Sequence, residues 1–377
     1  MTSGDIPFVL IVDDRPEGER SKAAVISASG VLATVRAPAD VTVEDIKRAA
    51  LIAVDEYLLW PPDMMAREPA FLPVDGLALI RVLQRRAWMS NVSPVFVLRS
   101  ADLDTLGESL PAAIREPALA MQHDLDWAFR KQDKGEGRRI VALAAARYDL
   151  QSSFESGAPW DGGSRWLGIT PSSWSEAAMN QVQACRPPEH AVAAYTGGAA
   201  WLRWFAQRIL PFPGILLSDL HTALRLRLRI KDFHAIVKSG SPLASQLETL
   251  RYKGHLHDFL GDRWWRAGVD TFIDSLLADA EWDVPEHVAL ASKLSAIHGL
   301  PIEAVSDPHP VITIDVQYKE STEVIDASKA VRLSPDLWPV FADEPWADMD
   351  DALQEADLEA LVARAERHRL DEAREQS

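Results

Sequence analysis

The chain has 377 residues, enough for two or three domains and a sizeable core. Its 56 acidic residues outnumber its 39 lysines and arginines, and the resulting formal net charge of -17 disfavours general binding to polyanions such as DNA. A single cysteine, Cys185, excludes an internal disulfide framework and is typical of a reducing compartment.

Targeting segments are not expected. The N-terminal residues lack the basic stretch of a signal peptide, and the apolar run after them ends in acids. No run approaches the roughly 20 apolar residues of a membrane span. We therefore expect a cytoplasmic protein with no membrane partner.

Two apolar runs near the start of the chain each end in carboxylates. Residues 7–12 precede Asp13 and Asp14, and residues 51–54 precede Asp55. Short apolar runs bounded by turn signals are typical of buried parallel strands, whose carboxyl ends hold the sites of open α/β folds. Three carboxylates at one edge would repel one another unless a hard cation lay among them. The sequence therefore predicts a divalent-metal site.

Strands and helices alternate through the rest of this region. Helices are predicted over residues 21–27, 42–50 (with Thr42 as N-cap) and 74–83, and an insertion rich in Pro and Met over residues 59–73. Further strands are predicted over residues 31–35 and 94–98, with a short apolar stretch over residues 126–131. This alternation predicts right-handed βαβ units and a doubly wound parallel sheet.

The order of polar residues after these strands resembles the receiver domain of bacterial response regulators. That family has an acid pair after strand one, a phosphoacceptor Asp after strand three, Ser or Thr after strand four and Lys after strand five. The matching positions here are Asp13 and Asp14, Asp55, Ser100 and Lys131, and the resemblance covers about residues 7–133.

The resemblance implies a flavodoxin-like fold and phosphorylation of Asp55 by a sensor histidine kinase or a phosphotransfer protein. Asp13, Asp14, Asp55 and the backbone carbonyl of Tyr57 would bind Mg²⁺, which prefers oxygen ligands. Lys131 would bind a phosphoryl oxygen as a point charge, and Ser100 would hydrogen-bond the transferred group.

The sequence departs from the family pattern in three places. Gln132 follows Lys131, where the family usually has Pro. Ala128 occupies the position of a switch aromatic, with Trp127 and Phe129 on either side. The insertion lies beside the expected phosphorylation site. These departures leave open whether Ser100 is coupled to an aromatic.

The remaining chain is predicted to be mainly helical. Residues 1–134 are interpreted as the receiver-like domain, residues 135–165 as a connecting helix and linker (a helix over 135–150, a Ser- and Gly-rich linker over 151–163), and residues 166–377 as an output or interaction domain. Within the last, residues 173–185, 191–210 and 285–298 are predicted helices. Residues 311–318 and 330–333 are expected to form a small β-hairpin, and residues 350–375 a final helix.

Residues 224–231 alternate leucine or isoleucine with arginine or lysine. Strict alternation is typical of a strand, but the leucine spacing fits a helix equally well. A nucleic-acid stripe is one interpretation; the favoured one is a helix whose arginines pair with acids elsewhere in the chain.

Other candidate site residues are interpreted as structural. His255 and His257 are two apart, so on a helix they could not share a metal ion. Cys185 is interpreted as a small buried hydrophobic residue.

These observations favour a phosphoacceptor signalling protein with at most autophosphatase activity and a downstream protein partner. A homodimer is left open. The alternatives are a receiver-controlled enzyme with a catalytic C-terminal domain, a DNA-binding regulator, and a pseudo-receiver used only for docking.

Overall fold

The computed structural model describes residues 6–67, 72–155, 166–186 and 199–376. Its main sheet has five parallel strands in the spatial order second, first, third, fourth, fifth, which is the order of flavodoxin-like doubly wound folds. The predicted parallel sheet is therefore confirmed. The strands are β1 (Phe8–Val12), β2 (Leu32–Arg36), β3 (Ala49–Asp55), β4 (Val95–Ser100) and β5 (Trp127–Arg130).

Helices cover both faces of this sheet. The helices that follow the first and the last strand pack on one face, and the second, fourth and sixth helices pack on the other. The helices of this region are α1 (Pro16–Ala28), α2 (Val43–Arg48), α3 (Pro62–Arg67), α4 (Gly76–Met89), α5 (Leu103–Leu106), α6 (Arg115–Gln122) and α7 (Glu136–Glu155).

Local sequence signals explain where the helices begin. Thr42 is the predicted N-cap of α2, and it forms a capping box with Asp45 in which each side chain accepts from the other's backbone N–H. Asp75 is the N-cap of α4, and its side chain accepts a hydrogen bond from the N–H of Ala78. Helix α1 begins at Pro16, five residues earlier than predicted, because proline is favoured in a first helical turn.

Helix α7 belongs to the sheet and to the C-terminal region at once. It packs against β3, β4 and α1, and its buried residues join one continuous apolar core with those of residues 166–294. The indole N–H of Trp166 donates to the carbonyl of Ala146 at 3.2 Å. The predicted linker is wrong over residues 151–155, which continue the helix, and its remainder lies outside the described residues. The division at residues 134 and 165 stays a prediction.

The C-terminal region is mainly helical, as predicted. Its core is rich in aromatic side chains; Trp166, for example, packs edge-on against Phe205 with ring centroids 5.2 Å apart. Part of the helix predicted over residues 191–210 lies outside the described residues. The helices are α8 (Ser175–Ala184), α9 (Ala199–Trp204, followed by a π-helical turn), α10 (Asp219–Arg225), α11 (Ile230–Lys238), α12 (Pro242–Glu248), α13 (Arg266–Leu277) and α14 (Glu286–His298). Two short strands among them, β6 (Leu216–Leu217) and β7 (Trp264–Trp265), pair antiparallel.

The basic stripe is neither one strand nor one helix. Helix α10 ends at Arg225, Arg227 adopts a positive φ of 58°, and α11 starts at Ile230. The favoured pairing of its arginines with acids is confirmed: Arg225 contacts Asp270 and Asp343, Arg227 contacts Glu286, and Arg229 lies 3.8 Å from Glu303.

The predicted hairpin pairs the wrong segments. Strand β8 (Pro310–Ile314) pairs antiparallel with β9 (Glu320–Asp326), because a turn at residues 315–318 reverses the chain at once. The segment expected to pair with it, β10 (Ala330–Arg332), pairs instead with β11 (Trp346–Asp348). Strand β11 also lies beside β8, so the hairpin is part of a four-stranded sheet.

The predicted final helix is three shorter ones, with an extended residue after the first and a bend after the second. The apolar stripe survives this division, since Leu358 and Val362 are buried and Leu353 and Leu361 pack against the same cluster. These helices are α15 (Met349–Gln354), α16 (Ala356–Leu361) and α17 (Arg367–Gln376).

Among the described residues, every helix falls short of the length and apolar character that a membrane crossing requires.

Candidate metal centre

Four charged residues lie at the carboxyl edge of the main sheet on its α1/α7 face. Side chains alternate between the faces of a strand, and Val9 and Ile11 point to the α1/α7 core. Asp13 continues that series beyond β1. By the same alternation Asp55, Arg99 and Lys131 follow the inward residues of β3, β4 and β5. The fold therefore gathers residues that are far apart in the chain.

Three carboxylates form the centre of this edge. Asp13, Asp14 and Asp55 each offer an oxygen atom, and these atoms all lie within 4.8 Å of one another. Asp13 and Asp55 are buried, and Asp14 is partly buried. Strands β1 and β3 are adjacent and pair Val12 with Val54, which places the next residues, Asp13 and Asp55, side by side.

Lys131 joins two of these carboxylates. Its Nζ atom lies 2.7 Å from Oδ2 of Asp13 and 2.9 Å from Oδ2 of Asp55. Burial lowers the pKa of the Lys131 amine, but the hydrogen bonds and charges of both acids outweigh it, so the pKa is raised overall. Lys131 is therefore held as a cation beside both acids.

The two buried acids differ in how burial is offset. Burial raises the pKa of Asp13, but hydrogen bonds from Lys131 and from the N–H of Arg15 outweigh it, so the pKa is lowered. Burial also raises the pKa of Asp55; Lys131 opposes this, the charge of Asp13 adds to it, and the pKa stays raised. Of the two buried acids, Asp55 therefore takes up a proton at the higher pH.

The donor set fits a small divalent cation. Three carboxylates with one ammonium group keep a net negative charge, and carboxylate oxygens are the protein ligands that Mg²⁺ prefers. Asp13, Asp14 and Asp55 are therefore the residues that could hold such an ion.

Ser100 lies at the end of β4 on the opposite side of that strand from Arg99. Its hydroxyl donates a hydrogen bond to the carboxylate of Glu56 and accepts one from the N–H of Asp102 at 2.9 Å. Glu56 directly follows Asp55, so Ser100 is next to the site, and its role toward a phosphoryl group stays a prediction.

The loop after β3 is held by α4. The N–H of Gly76 donates to the carbonyl of Glu56 at 2.7 Å, and a Cβ at Gly76 would lie 2.0 Å from the carbonyl oxygen of Asp55. Only glycine permits this approach. Tyr57 follows with an exposed side chain that donates to Asp102, and its backbone carbonyl as a metal ligand stays a prediction.

Sequence reasoning missed a buried ionic group behind the carboxylates. Arg99 is 0% exposed and contacts Glu19 of α1 at 2.8 Å and Glu136 of α7 at 2.5 Å. Lys22 of α1 contacts Glu136 at 2.7 Å and donates to the carbonyl of Lys131 at 3.1 Å. The signal was present in the alternation of β4, where Arg99 has the parity of the inward-facing Val95 and Val97.

A second cluster of ionisable residues lines a cavity of about 240 Å³ in the C-terminal region. Ser218 Oγ lies 3.0 Å from Nδ1 of His221, and Glu320 Oε1 lies 3.6 Å from the same nitrogen. Burial lowers the pKa of His221 to about 4 and raises that of Glu320. A hydroxyl–imidazole–carboxylate relay uses opposite ring nitrogens, so this arrangement does not form one.

The residues interpreted as structural are placed accordingly. His255 lies 3.0 Å from Asp149 and packs against Trp166 with tilted rings, and its segment is a turn rather than the helix considered above. Cys185 is buried, and burial raises the pKa of its thiol. Within the described residues, Asp13, Asp14 and Asp55 are the group of acids, His or Cys close enough to share a metal.

Comparison with known proteins adds no relative: no family model matches the chain, and no curated protein matches it.

Proposed function

We propose that Asp55 accepts a phosphoryl group from a partner histidine kinase or phosphotransfer protein, and that this modification controls the C-terminal region. The observation that carries the proposal is the meeting of Asp13, Asp14, Asp55 and Lys131 at one sheet edge. This is the arrangement that the resemblance to response-regulator receivers requires.

Asp13, Asp14 and Asp55 would hold Mg²⁺ at this edge. When bound, the ion would offset the negative charge of the phosphoryl oxygens and lower the barrier to transfer. This role is supported by the surplus of carboxylates over the one ammonium group in contact with them.

The residues of the chain would carry the transfer itself. A carboxylate oxygen of Asp55 attacks phosphorus, and the P–N bond of a phosphohistidine breaks with its electron pair remaining on the imidazole nitrogen. Lys131, already beside Asp55, binds one of the phosphoryl oxygens. The product is an aspartyl phosphate, and no catalytic activity beyond its slow hydrolysis is proposed.

The C-terminal region is proposed as a protein-interaction output. Its arginines at residues 225–229 lie in ion pairs, which disfavours a DNA-binding stripe. Its Ser218–His221–Glu320 group lacks the geometry of a catalytic relay, which disfavours a controlled enzyme.

The test is intact mass after incubation with acetyl phosphate and Mg²⁺. We expect wild type and Asp40→Asn to gain one phosphoryl group and Asp55→Asn to gain none. Asp40 is the matched control because it is exposed, near the same sheet edge and outside the carboxylate group. An unmodified wild type, together with no response to beryllofluoride and Mg²⁺, would refute phosphorylation and favour a pseudo-receiver.

A further inference from the structure

The buried ionic group behind the carboxylates lies between the candidate phosphoacceptor and helix α7. Lys131 contacts Asp55 directly and lies 4.0 Å from Glu19, which contacts Arg99. Arg99 contacts Glu136, the first residue of α7. A chain of ionic contacts therefore runs from Asp55 to the start of this helix.

Burial makes the ion pair between Arg99 and Glu136 sensitive to nearby charges. The side chain of Arg99 is 0% exposed and that of Glu136 is 1% exposed, so water screens neither charge. Among the described residues, Nη1 of Arg99 has no hydrogen-bond partner, so one buried donor is left over. Removing one partner of such a pair leaves an unpaired buried charge. Because water does not screen the intact pair, its electrostatic energy responds to the charge of every neighbouring carboxylate.

Helix α7 can pass a change on to the C-terminal region. At its far end Asp149 lies 3.0 Å from His255, and near its start Arg138 lies 3.1 Å from Asp258. Between them the carbonyl of Ala146 accepts from Trp166. The helix therefore touches the C-terminal region along much of its length.

The usual family route is absent at its expected position. Residue 128, where a switch aromatic is common, is alanine, and the hydroxyl of Ser100 is engaged by Glu56 and by the backbone of Asp102. Any coupling between the phosphoacceptor and the rest of the chain therefore runs through other residues.

We infer that the buried Arg99–Glu136 pair couples the charge at Asp55 to helix α7 and, through it, to the C-terminal region. Arg99 and Glu136 are positioning residues in this scheme. Loss or gain of charge at Asp55 changes how Lys131 is shared among Asp13, Asp55 and Glu19. Glu19 then changes its position relative to Arg99. The contact between Arg99 and Glu136 changes in turn, and the first turn of α7 moves with Glu136. As an account of regulation by phosphate, the inference rests on the proposed function.

The test is a double-mutant cycle read by hydrogen exchange of residues 136–155. One axis is Asp55→Asn, which removes the charge without any phosphoryl donor. The other is the double substitution Arg99→Met with Glu136→Met, which replaces the pair by apolar side chains of similar length. Replacing both partners removes one positive and one negative charge together, and the partners that they leave, Glu19 and Lys22, lie 3.9 Å apart. Such a replacement is often neutral for stability.

The matched control is Glu116→Met with Arg139→Met. This pair also joins α7 to the sheet region and is largely buried, but it does not contact Lys131, Glu19 or Arg99. It therefore tests whether loss of any ionic contact on α7 has the same effect.

We expect Asp55→Asn to change exchange in residues 136–155 about fivefold in wild type and in the control background, a typical coupling between sites. In the Arg99→Met, Glu136→Met background the change should disappear. An equal change in all three backgrounds, or none in wild type, would overturn the inference.

A parallel measurement keeps the inference separate from the proposed function. Each background is also incubated with acetyl phosphate and Mg²⁺ and weighed. A phosphoryl adduct without the exchange coupling contradicts the inference alone. Exchange coupling without an adduct contradicts phosphorylation and leaves the charge link supported.

Discussion

The sheet region and the C-terminal region both contain many charged residues, but they arrange them differently. In the sheet region Asp13, Asp14 and Asp55 lie together, the ammonium group of Lys131 contacts two of them, and further buried charges lie behind them. In the C-terminal region arginines and acids are paired at several separate places, as with Arg225 and Arg227. An excess of one sign at a single place favours a bound cation or a proton, whereas dispersed pairs require neither.

The regions also differ in what fills their interiors. The strands of the sheet bury mainly aliphatic side chains. The C-terminal region is packed by aromatic side chains; Trp127 of the sheet extends that packing by meeting Phe259 edge-on at 4.9 Å. The two regions thus share a core, and a change at the sheet edge has a packed route outward through α7.

Removal of the divalent cation gives the largest expected effect on this contrast. We expect EDTA to slow formation of the phosphoryl adduct by about a hundredfold or more, because a metal contributes several kcal/mol to such a transfer. Intact mass over time measures it, and excess Mg²⁺ should restore the rate. An adduct that forms equally fast in EDTA would contradict the metal assignment.

Substitution of Gly76 should disturb the sheet edge next most strongly. A Cβ there would overlap the carbonyl oxygen of Asp55, so Gly76→Ala should lower the free energy of unfolding by about 1–3 kcal/mol and weaken Mg²⁺ binding. Chemical denaturation and calorimetry measure these effects.

The control is Gly18→Ala, where the added Cβ meets nothing within 4 Å inside helix α1. We expect that variant to gain about 0.5–1 kcal/mol, since alanine restricts the unfolded chain. Similar behaviour of the two variants would show that Asp55 is not held by the approach of α4.

Mg²⁺ affinity should depend on pH through Asp55. Its raised pKa means that, as pH falls, a proton displaces the metal from this carboxylate at a pH above its ordinary pKa of 3.8, while Asp13 stays ionised. Below the raised pKa the dissociation constant should rise about tenfold per pH unit. Calorimetric titrations at several pH values measure this, and in Asp55→Asn the slope over that range should vanish. A slope unchanged in that variant would assign the proton to another group.

Disruption of an exposed pair in the C-terminal region should have the smallest effect. Arg229 lies 3.8 Å from Glu303 and both are exposed, so Arg229→Ala should change the free energy of unfolding by less than about 1 kcal/mol. Thermal unfolding measures it. A larger loss would mean that this ion pair contributes more to the free energy of unfolding than an exposed pair normally does.

The sheet and its acidic edge could be predicted because their signals are local. Apolar runs ending in Asp13 and Asp55 indicate buried strands, and parallel pairing brings their ends together. Lys131 was found in the same way, at the end of the fifth strand. Arg99 was not predicted, because its ionic contacts are with Glu19 and Glu136, which two different helices bring to it.

The C-terminal region was predicted less well for a related reason. A tight turn at residues 315–318 decided the pairing of β8, and composition did not reveal it. The last helices break at Glu355 and Val362, which adopt extended or near-extended backbone without any Gly or Pro to mark the place. The break at Val362 coincides with its bridge to Leu333, a tertiary contact that the local sequence does not show.

The most direct test of the central claim is peptide mapping of the phosphoryl group after incubation with acetyl phosphate. We predict Mg²⁺-dependent phosphate on the peptide that contains Asp55, and unmodified peptides from residues 166–377. Phosphate on a peptide of the C-terminal region, or none on the Asp55 peptide with Mg²⁺ present, would contradict the account.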